Sequence, residues 1–538
     1  MTASVRSPCD QGVILAGTPT TPGCAERARP WVLATAILGS SLAFIDGSVV
    51  NVALPAVQAD LGTSFRGAQW IVNGYMLTLS SLILVGGAAG DRFGRRLVFC
   101  LGVALFTGAS LACGLAPGSG VLIAARGVQG IGAALLVPGS LALISAGFPL
   151  AERGRAIGTW AGFSALTAAL GPMLGGWLVD AWSWRMIFFV NLPVAAVTLW
   201  LAFRHVPESR DEIDTATVDW RGGLLASAGL AALVYGLTAA SDAGWAHAAV
   251  LGPLLAGALI LTAFVQYERR AASPMVPVGL FRSTTFAGAT VMTLLLYFAL
   301  GGALFFLPFA LIRIHGYTAA QAGAVFLPFT LIMGGLSRWS GRLIDRYGAR
   351  APLTIGPVIA ALGLVLLAVP GIGGSYWTTF FPAMVVLGLG MAMSVAPLTT
   401  TVMSAVPDRH AGAASGINNA VARVGGMLSV ALLGAVAVGV FGAALDRRLA
   451  ALQAPPEVRS ALHAQAGRLA EARVPDRVAG AERERLARAL AESFVSSFRV
   501  STLTAAGLAL LSAFCAWLTI GRGRGSSPSP GGTPVRRL

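Results

Sequence analysis

Charged residues are scarce in this chain of 538 residues, where they make up 11% of the sequence. An average soluble protein has about 25%. Apolar residues make up 55%, and the mean hydropathy is +0.73. So little charge cannot cover the surface of a large water-exposed fold, so the composition excludes a soluble enzyme, a disordered chain and a collagen-like chain. A polytopic membrane protein remains.

The sequence also lacks the motifs of metal and nucleotide sites. Its five cysteines and five histidines show neither metal-ligand spacing nor a disulfide framework. The glycine-rich stretch 127–132 superficially suggests a dinucleotide loop, but it lies inside a long apolar run with no strand before it. We therefore expect no metal, no cofactor and no catalytic residues. Without a nucleotide loop, ATP is not the expected energy source.

Apolar runs of about 20 residues, long enough to cross a hydrocarbon core of about 30 Å, occur fourteen times. The predicted spans are 31–54, 68–87, 97–116, 119–147, 156–179, 184–203, 221–240, 248–267, 284–312, 319–340, 351–371, 377–403, 411–443 and 498–520. The even number puts both chain ends on one side. The predicted fold class is an all-α membrane protein with fourteen spans.

Lysine is absent, and all 38 basic residues are arginines scattered in short loops, which argues against a nucleic-acid partner. With a cytoplasmic N-terminus, the tails and inward loops hold 23 arginines, whereas the short outward loops hold Arg66, Arg185 and Arg313. This asymmetry predicts a protein of the cytoplasmic membrane with both termini on the cytoplasmic side. The arginine-rich segment 446–497 conflicts with it, but it carries seven acids and long loops obey the rule poorly. We interpret it as an external amphipathic hairpin.

One motif recurs at an offset of 254 residues. It begins at Gly87 and returns at Gly341, and the same offset relates Gly171 to Gly425. In full, the motif comprises Gly87, Asp91, Arg92, Gly94 and Arg96, and its repeat comprises Gly341, Asp345, Arg346, Gly348 and Arg350. Spans 1–6 therefore match spans 9–14, with spans 7 and 8 inserted between the halves. Two six-span repeats around a central site are typical of an alternating-access transporter.

The repeat defines the predicted domains. They are a cytoplasmic tail at 1–30, a six-helix bundle at 31–204, a linker with two inserted helices at 205–270, a second bundle at 284–520 containing the external loop 446–497, and a cytoplasmic tail at 521–538.

Four motifs follow one another along spans 1–5. They are Ile45 to Pro55, Gly87 to Arg96, Arg126 to Ala134, and the glycine-rich set Gly162, Gly171, Pro172, Gly175 and Gly176. Together they resemble the signatures of the fourteen-span drug:proton antiporters of the major facilitator superfamily. The sequence departs from that pattern with Ser48 in place of the usual threonine and with no acid in spans 10 and 13.

The resemblance implies roles for these motifs. The loop motif, including Asp345 and Arg346 of its repeat, would gate the conformational cycle, and the fifth-span set would be the antiporter motif. Helix packing alone explains those glycines equally well. A substrate cavity lined by Asn51, Trp70, Tyr75, Gln129, Asn418 and Arg423 is also expected.

Asp46 is the one acid that we place at hydrocarbon depth, where an ionisable group is costly and functional by default. A structural hydrogen bond to a neighbouring helix is the alternative. Helix rise puts Arg126 in the same layer, so the two should pair and couple protons to transport, unless Arg126 extends to the outer interface. Arg423 faces either the cavity or the inner interface.

These observations predict a proton-coupled exporter of lipophilic or aromatic drugs that confers resistance. The alternatives are a dedicated exporter of an endogenous metabolite, an importer and, from a different class, a lipid-modifying membrane enzyme. The expected partners are the bilayer, protons and a small lipophilic substrate, and the chain is expected to work as a monomer.

Overall fold

The computed structural model describes residues 28–209, 219–407, 411–476 and 478–521. The described residues form helices and connecting turns without any strand, and fourteen helical segments are long and apolar enough to cross a membrane, two of them counted together with a short helix that precedes them. The predicted fold class is therefore confirmed. The fourteen helices are α1 (Arg29–Leu61), α2 (Phe65–Phe93), α3 (Arg95–Gly114), α4 (Ser119–Gly147), α5 (Leu150–Ala181), α6 (Asn191–His205), α7 (Trp220–Ala243), α8 (Ala248–Glu268), α9 (Thr284–Phe309), α10 (Leu327–Tyr347), α11 (Arg350–Ala368), α12 (Tyr376–Ser404), α13 (Ala411–Ala451) and α14 (Gly480–Thr519).

Short elements extend three of these helices. Met186–Phe189 leads into α6, Ala319–Ala324 leads into α10, and a π-helical turn at Ala310–Ile314 continues α9. The predicted tails and residues 210–218 of the predicted linker lie outside the described residues, apart from the few residues next to α1 and α14.

Several helices run past the ends of the predicted apolar spans. The span predicted to end at 443 continues as α13 to Ala451, and the span predicted to begin at 498 begins as α14 at Gly480. Polar residues end an apolar run, but they do not interrupt the backbone hydrogen bonds of a helix. In its described residues, the segment interpreted as an external hairpin over 446–497 consists of two helix extensions joined by the short helices Pro456–His463 and Ala466–Glu471.

Helices α7 and α8 pack on each other, and α7 also lies along the line where α2 meets α13. Leu230 and Val234 of α7 pack with Met427 and Ala431 of α13. The hydroxyl of Ser227 lies 2.8 Å from the hydroxyl of Ser81 on α2. The inserted helices therefore contact both the α1–α6 half and the α9–α14 half.

Small residues allow α5 to approach its neighbours closely. A Cβ atom on Gly171 would lie 2.0 Å from Ser48 Oγ, and one on Gly175 would lie 2.0 Å from Val49 Cγ2, both on α1. One on Gly176 would lie 2.1 Å from the carbonyl oxygen of Ala319, in the other half. These three glycines pack helices. Gly162 differs, because it is exposed and a Cβ atom there would meet nothing within 4 Å.

Close contacts between the halves are concentrated at one end of the bundle. We call this end the Gly62 face, after the turn between α1 and α2, and the opposite end the Gly94 face, after the turn between α2 and α3. At the Gly62 face, the two oxygens of Asp180 accept hydrogen bonds from the backbone N–H groups of Ala319 and Ala320, at 3.1 and 2.8 Å. These bonds join α5 to the helix that leads into α10.

Arg313 makes a second connection at the Gly62 face. Its guanidinium donates to the carbonyl oxygen of Pro55 on α1 at 3.1 Å and forms an ion pair with Glu471, in the segment between α13 and α14. Phe65 of α2 packs nearby against three phenylalanines of α9, with ring centroids 5.5–5.8 Å apart. The halves are thus held together at this face by polar and aromatic contacts.

At the Gly94 face, the ion pairs of the described residues stay within the α1–α6 half. They join Arg29 to Glu152, Arg95 to Asp91 and Arg96 to Glu208. Helices α2 and α13 still touch here, because a Cβ atom on Gly416 would lie 2.5 Å from Leu84. The two faces therefore differ: polar connections join the halves at the Gly62 face, whereas the described ion pairs at the Gly94 face stay within one half.

Candidate functional site

A buried ion pair lies between α1 and α4. Arg126 Nη1 donates to Asp46 Oδ2 at 2.5 Å, and the two side chains are 1% and 0% exposed. The structure thus brings together the two charges that the sequence places in one layer. Because Arg126 faces the helix bundle and is almost fully enclosed, the alternative in which it extends to the outer interface is wrong.

Gln129 closes a three-membered network with the ion pair. Its amide nitrogen donates to Asp46 Oδ1 at 2.9 Å, and its amide oxygen accepts from Arg126 Nη1 at 2.7 Å. Arg126 and Gln129 are three residues apart on α4, so both project from the same face of that helix. Each oxygen of the Asp46 carboxylate therefore has one donor, and both donors come from α4.

Three neighbouring helices complete the enclosure of Arg126. Its Nε donates to the carbonyl oxygen of Ile71 on α2 at 3.1 Å, and its guanidinium lies 4.3 Å from the centroid of the Tyr75 ring. Phe188 contributes a second ring at 5.9 Å, and Cys113 of α3 lies 3.7 Å from the Gln129 oxygen. Ile71, Cys113 and Phe188 are apolar in sequence, so nothing in the sequence distinguishes them from ordinary core residues.

Glycines in α4 make this arrangement possible. A Cβ atom on Gly130 would lie 2.1 Å from Thr78 Oγ1 and 2.3 Å from the carbonyl oxygen of Tyr75. The hydroxyl of Thr78 in turn donates to the carbonyl oxygen of Gly127 at 2.8 Å. The stretch that superficially suggested a nucleotide loop lies in the middle of α4 and packs it against α2.

Arg423 of α13 is the second arginine near the centre of the bundle. It is half-buried, lies within electrostatic range of Tyr75 and Tyr297, and forms no ion pair within the part of the chain that the structure describes. Asn418, five residues earlier on α13, accepts a hydrogen bond from Thr293 of α9 at 2.6 Å. Tyr297 and Thr293 were not predicted from the sequence, because each lies in a long apolar run with no motif around it.

Two residues of the predicted substrate cavity, Trp70 and Asn51, are not part of the network around the ion pair. The ring of Trp70 packs toward Tyr235 of α7, with centroids 6.5 Å apart, so it faces the inserted helices. Asn51 is half-buried on α1, five residues after Asp46. Of the predicted set, Tyr75 and Gln129 touch the buried ion pair directly, and Arg423 lies within electrostatic range of Tyr75.

The predicted gating loop is held against the end of α6. Gly94 has φ +117°, and a Cβ atom there would lie 2.8 Å from the Glu208 carboxylate, so the position requires glycine. Glu208 accepts from the backbone N–H groups of Arg96 and Leu97 at 3.0 Å each. Glu208 was not among the predicted site residues, because no motif marks it.

The remaining loop residues are closer to the surface. Asp91 accepts from Arg95 Nε at 2.8 Å, one turn further along the chain. Arg92 and Arg346 are exposed, and each lies over the aromatic ring of the next residue. Asp345 is on α10, but its side chain lies outside the described residues.

Sequence comparisons find relatives of this chain. It is 38% identical over 430 residues to the multidrug resistance protein Stp of Mycobacterium tuberculosis, covering 79% of each chain. It is 34% identical over 516 residues to the tetracenomycin C resistance and export protein of Streptomyces glaucescens, covering 94% of each chain.

Solved structures show the same fold. A bacterial homologue of the human lysosomal transporter Spinster, in an inward-facing and unoccupied conformation, aligns with a TM-score of 0.63 and 19% sequence identity. The alignment covers 91% of this chain and 98% of that one.

The family profile described as the Major Facilitator Superfamily matches residues 36–430. Together with the relatives, this match indicates a multi-pass membrane transporter and not an enzyme. The chain belongs to the Major Facilitator Superfamily.

Proposed function

We propose that this protein exports lipophilic aromatic compounds from the cell in exchange for protons, by alternating access. The observation that carries the proposal is the sealed network of Asp46, Arg126 and Gln129, with both charges buried. The names of the relatives, which refer to multidrug resistance and to tetracenomycin C resistance and export, support a drug substrate.

The chemistry of the network suggests how a proton is carried. A carboxylate that receives hydrogen bonds from an arginine and an amide stays ionised, whereas one separated from its counter-charge in a low dielectric binds a proton. A conformation that parts α1 from α4 would therefore load Asp46 with a proton. The conformation that rejoins them, which is the one described above, would release it.

The contacts between the halves fit one state of such a cycle. We propose that the Gly62 face is extracellular and the Gly94 face cytoplasmic, with both termini inside, as the arginine distribution predicts. The protein would then be closed outside through Asp180 and Arg313. A cysteine placed at Ala466 should react with an impermeant reagent added from outside, and one placed at Ser526 should not. The reverse pattern would overturn the orientation.

Arg423 suggests the charge of the substrate. It is a half-buried cation near the central aromatic residues, and no acid of the described residues pairs with it. An ionisable group in a membrane is stabilised by a partner of opposite charge, so neutral or anionic aromatic compounds suit this site better than dications. A dication would need two desolvated counter-charges, and Asp46 is already paired.

Transport into proteoliposomes under an imposed pH gradient tests these ideas. Asp46→Asn should lose proton-driven accumulation and keep downhill exchange, while Asp476→Asn, an exposed acid in the segment before α14, should behave as the wild type. Gradient-driven transport by Asp46→Asn would refute the coupling. Arg423→Gln should weaken the transport of anionic compounds more than that of neutral ones, and efficient export of a dicationic dye would refute the substrate class.

A dedicated metabolite exporter remains the second candidate, because one relative is named for the export of a single compound. A broad panel of growth inhibitors, tested with and without expression, separates the two. Protection against several unrelated compounds supports a multidrug exporter, and protection against one supports a dedicated exporter. We propose that the protein acts as a monomer in either case.

A further inference from the structure

Two carboxyl groups that the transport proposal does not use meet at the ends of the inserted helices. Asp219 precedes the first residue of α7, and Glu268 is the last residue of α8. The two residues are 9% and 2% exposed. Burial of this degree is costly for a charged carboxylate unless it is paired and hydrogen-bonded.

One oxygen of each carboxyl group has a structural role. Asp219 Oδ1 caps α7 by accepting from the backbone N–H of Gly222 at 2.8 Å, and it also accepts from the Tyr267 hydroxyl at 3.1 Å. Glu268 Oε2 accepts from the backbone N–H of Val276 at 2.8 Å, in the chain that leads to α9. These bonds fix both carboxyl groups in place.

The other two oxygens point to the same spot. Asp219 Oδ2 and Glu268 Oε1 are both buried, and neither accepts a hydrogen bond from a donor in the described residues. A Cβ atom built on Gly222 would lie 2.5 Å from each, so the two oxygens are at most 5.0 Å apart. Two acceptor oxygens therefore face the same side of Gly222.

Within the part of the chain that the structure describes, no cation forms an ion pair with either carboxyl group, and neither Arg269 nor Arg270 forms an ion pair at all. Arg221 of α7 lines the cleft beside Asp219 and lies over the neighbouring Trp220 ring, with 5.3 Å to its centroid. Tyr267 is the titratable group that contacts the pair. Helix α2 presents apolar residues to this end of α7, because a Cβ atom on Gly223 would lie 2.8 Å from Val85.

We propose that Asp219 and Glu268 form a second proton-binding site, in which one proton is shared between Asp219 Oδ2 and Glu268 Oε1. Two buried carboxyl groups this close cannot both ionise, so one of them keeps its proton and donates it to the other. A divalent metal would need about six oxygen ligands, and the described residues contain no cluster of three or more metal-ligating side chains.

The position of the site gives the proton a structural consequence. It joins the start of α7, the end of α8 and the chain that enters the second half, and α7 packs there on α2, near the gating loop. A cleft of about 270 Å³, lined by residues that include Asp219, Tyr267 and Ser273, opens beside the pair. Loss of the proton would leave two carboxylates repelling each other at this junction.

Infrared spectroscopy of the purified protein tests the site without any transport assay. Between about pH 6 and pH 9, where ordinary carboxyl groups are already ionised, the wild type should lose one protonated carboxyl band. The band should persist in Asp46→Asn and in the exposed control Glu484→Gln. It should be absent from Glu268→Gln and from Asp219→Asn, and either of these variants suffices if the other does not fold.

Thermal unfolding gives the second measurement. The folded protein would hold one more proton than the unfolded chain, so its stability should fall as pH rises through this range. In Glu268→Gln the amide donates to Asp219 in place of the proton, so the fall should be smaller than in the wild type by at least about 2 °C.

Three results would overturn the proposal. The first is a wild type without a titrating carboxyl band, and the second is a band that disappears in Asp46→Asn and survives in Glu268→Gln. The third is a melting temperature that Mg²⁺ or Ca²⁺ raises in the wild type but not in Glu268→Gln, which would make the pair a metal site. None of these outcomes depends on whether the protein exports drugs, so failure here is distinct from failure of the proposed function.

Discussion

Removing one charge of the Asp46–Arg126 pair should destabilise the protein more than removing both. At an effective dielectric constant of about 20, two unit charges about 4 Å apart attract by about 4 kcal/mol. Neither side chain can recover this energy from water, because they are 0% and 1% exposed. Breaking such a pair by removing one partner typically costs about 3–5 kcal/mol.

The single variants differ in what they leave behind. Asp46→Asn keeps an acceptor for Arg126 Nη1, and the guanidinium retains Gln129, the Ile71 carbonyl oxygen and the Tyr75 ring, so its cost should lie near about 3 kcal/mol. Arg126→Met leaves the Asp46 carboxylate with Gln129 as its one donor and should cost more. The loss of stability in Arg126→Met should shrink at low pH, because Asp46 then binds a proton.

The double variant Asp46→Asn/Arg126→Met should be more stable than Arg126→Met alone, because it buries no uncompensated charge. The free energy of unfolding is measured by titration with a denaturing detergent in mixed micelles. The partly exposed pair Asp91–Arg95, at 2.8 Å, is the matched control. A double-mutant cycle on this pair should give a coupling energy of about 0–1 kcal/mol. If the double variant loses as much stability as the two single variants added together, the reasoning is refuted.

Three further outcomes are expected. Asp91→Asn should slow the conformational cycle at the Gly94 face while substrate binding, measured by fluorescence quenching, stays nearly unchanged; loss of both together would contradict a gating role. Gly94→Ala should destabilise the protein by about 1–3 kcal/mol, because Gly94 has a positive φ and lies close to Glu208. The control Gly90→Ala should be nearly neutral in the same unfolding titration, because a Cβ atom on Gly90 meets nothing within 4 Å. Burial raises the pKa of Glu471 above its ordinary 4.5, although an arginine partner opposes the shift. The contribution of Glu471 to the stability of the folded protein is therefore present below pH 4.5 and is lost as pH rises through the raised pKa. Glu471→Gln should therefore weaken the fall in melting temperature from about pH 4 to pH 7, and an unchanged pH profile would contradict this assignment.

The fourteen helices could be predicted from the sequence because a bilayer imposes a simple rule. A segment that crosses it must be apolar over about 20 residues and must satisfy its own backbone hydrogen bonds, so length and hydropathy identify the helix. The same rule fails at the helix ends. Helix α13 ends 8 residues after the predicted limit at 443, and helix α14 begins 18 residues before the predicted limit at 498. A polar segment can stay helical outside the bilayer, so hydropathy does not mark these helix ends.

The central ion pair was predictable for a similar reason. Charges are so costly at this depth that Asp46 and Arg126 stand out, and helix rise places them in one layer. Arg423 stood out equally, but hydropathy could not say whether it faced the cavity or the interface. Its nearness to Tyr75 and Tyr297 follows from the rotation of α13 against α2 and α9, which no local pattern encodes.

The sequence by itself determined the number of helices, the internal repeat and the residues whose burial would be costly. Only the tertiary structure decided which partners satisfy them. Gln129 completes the Asp46 network, Glu208 holds the gating loop, and Asp219 meets Glu268 although 49 positions separate them in the chain. The physical reason is that hydrocarbon selects residues by type along each helix, whereas hydrogen bonds and ion pairs form between helices at distances of about 3 Å, which depend on how the helices pack.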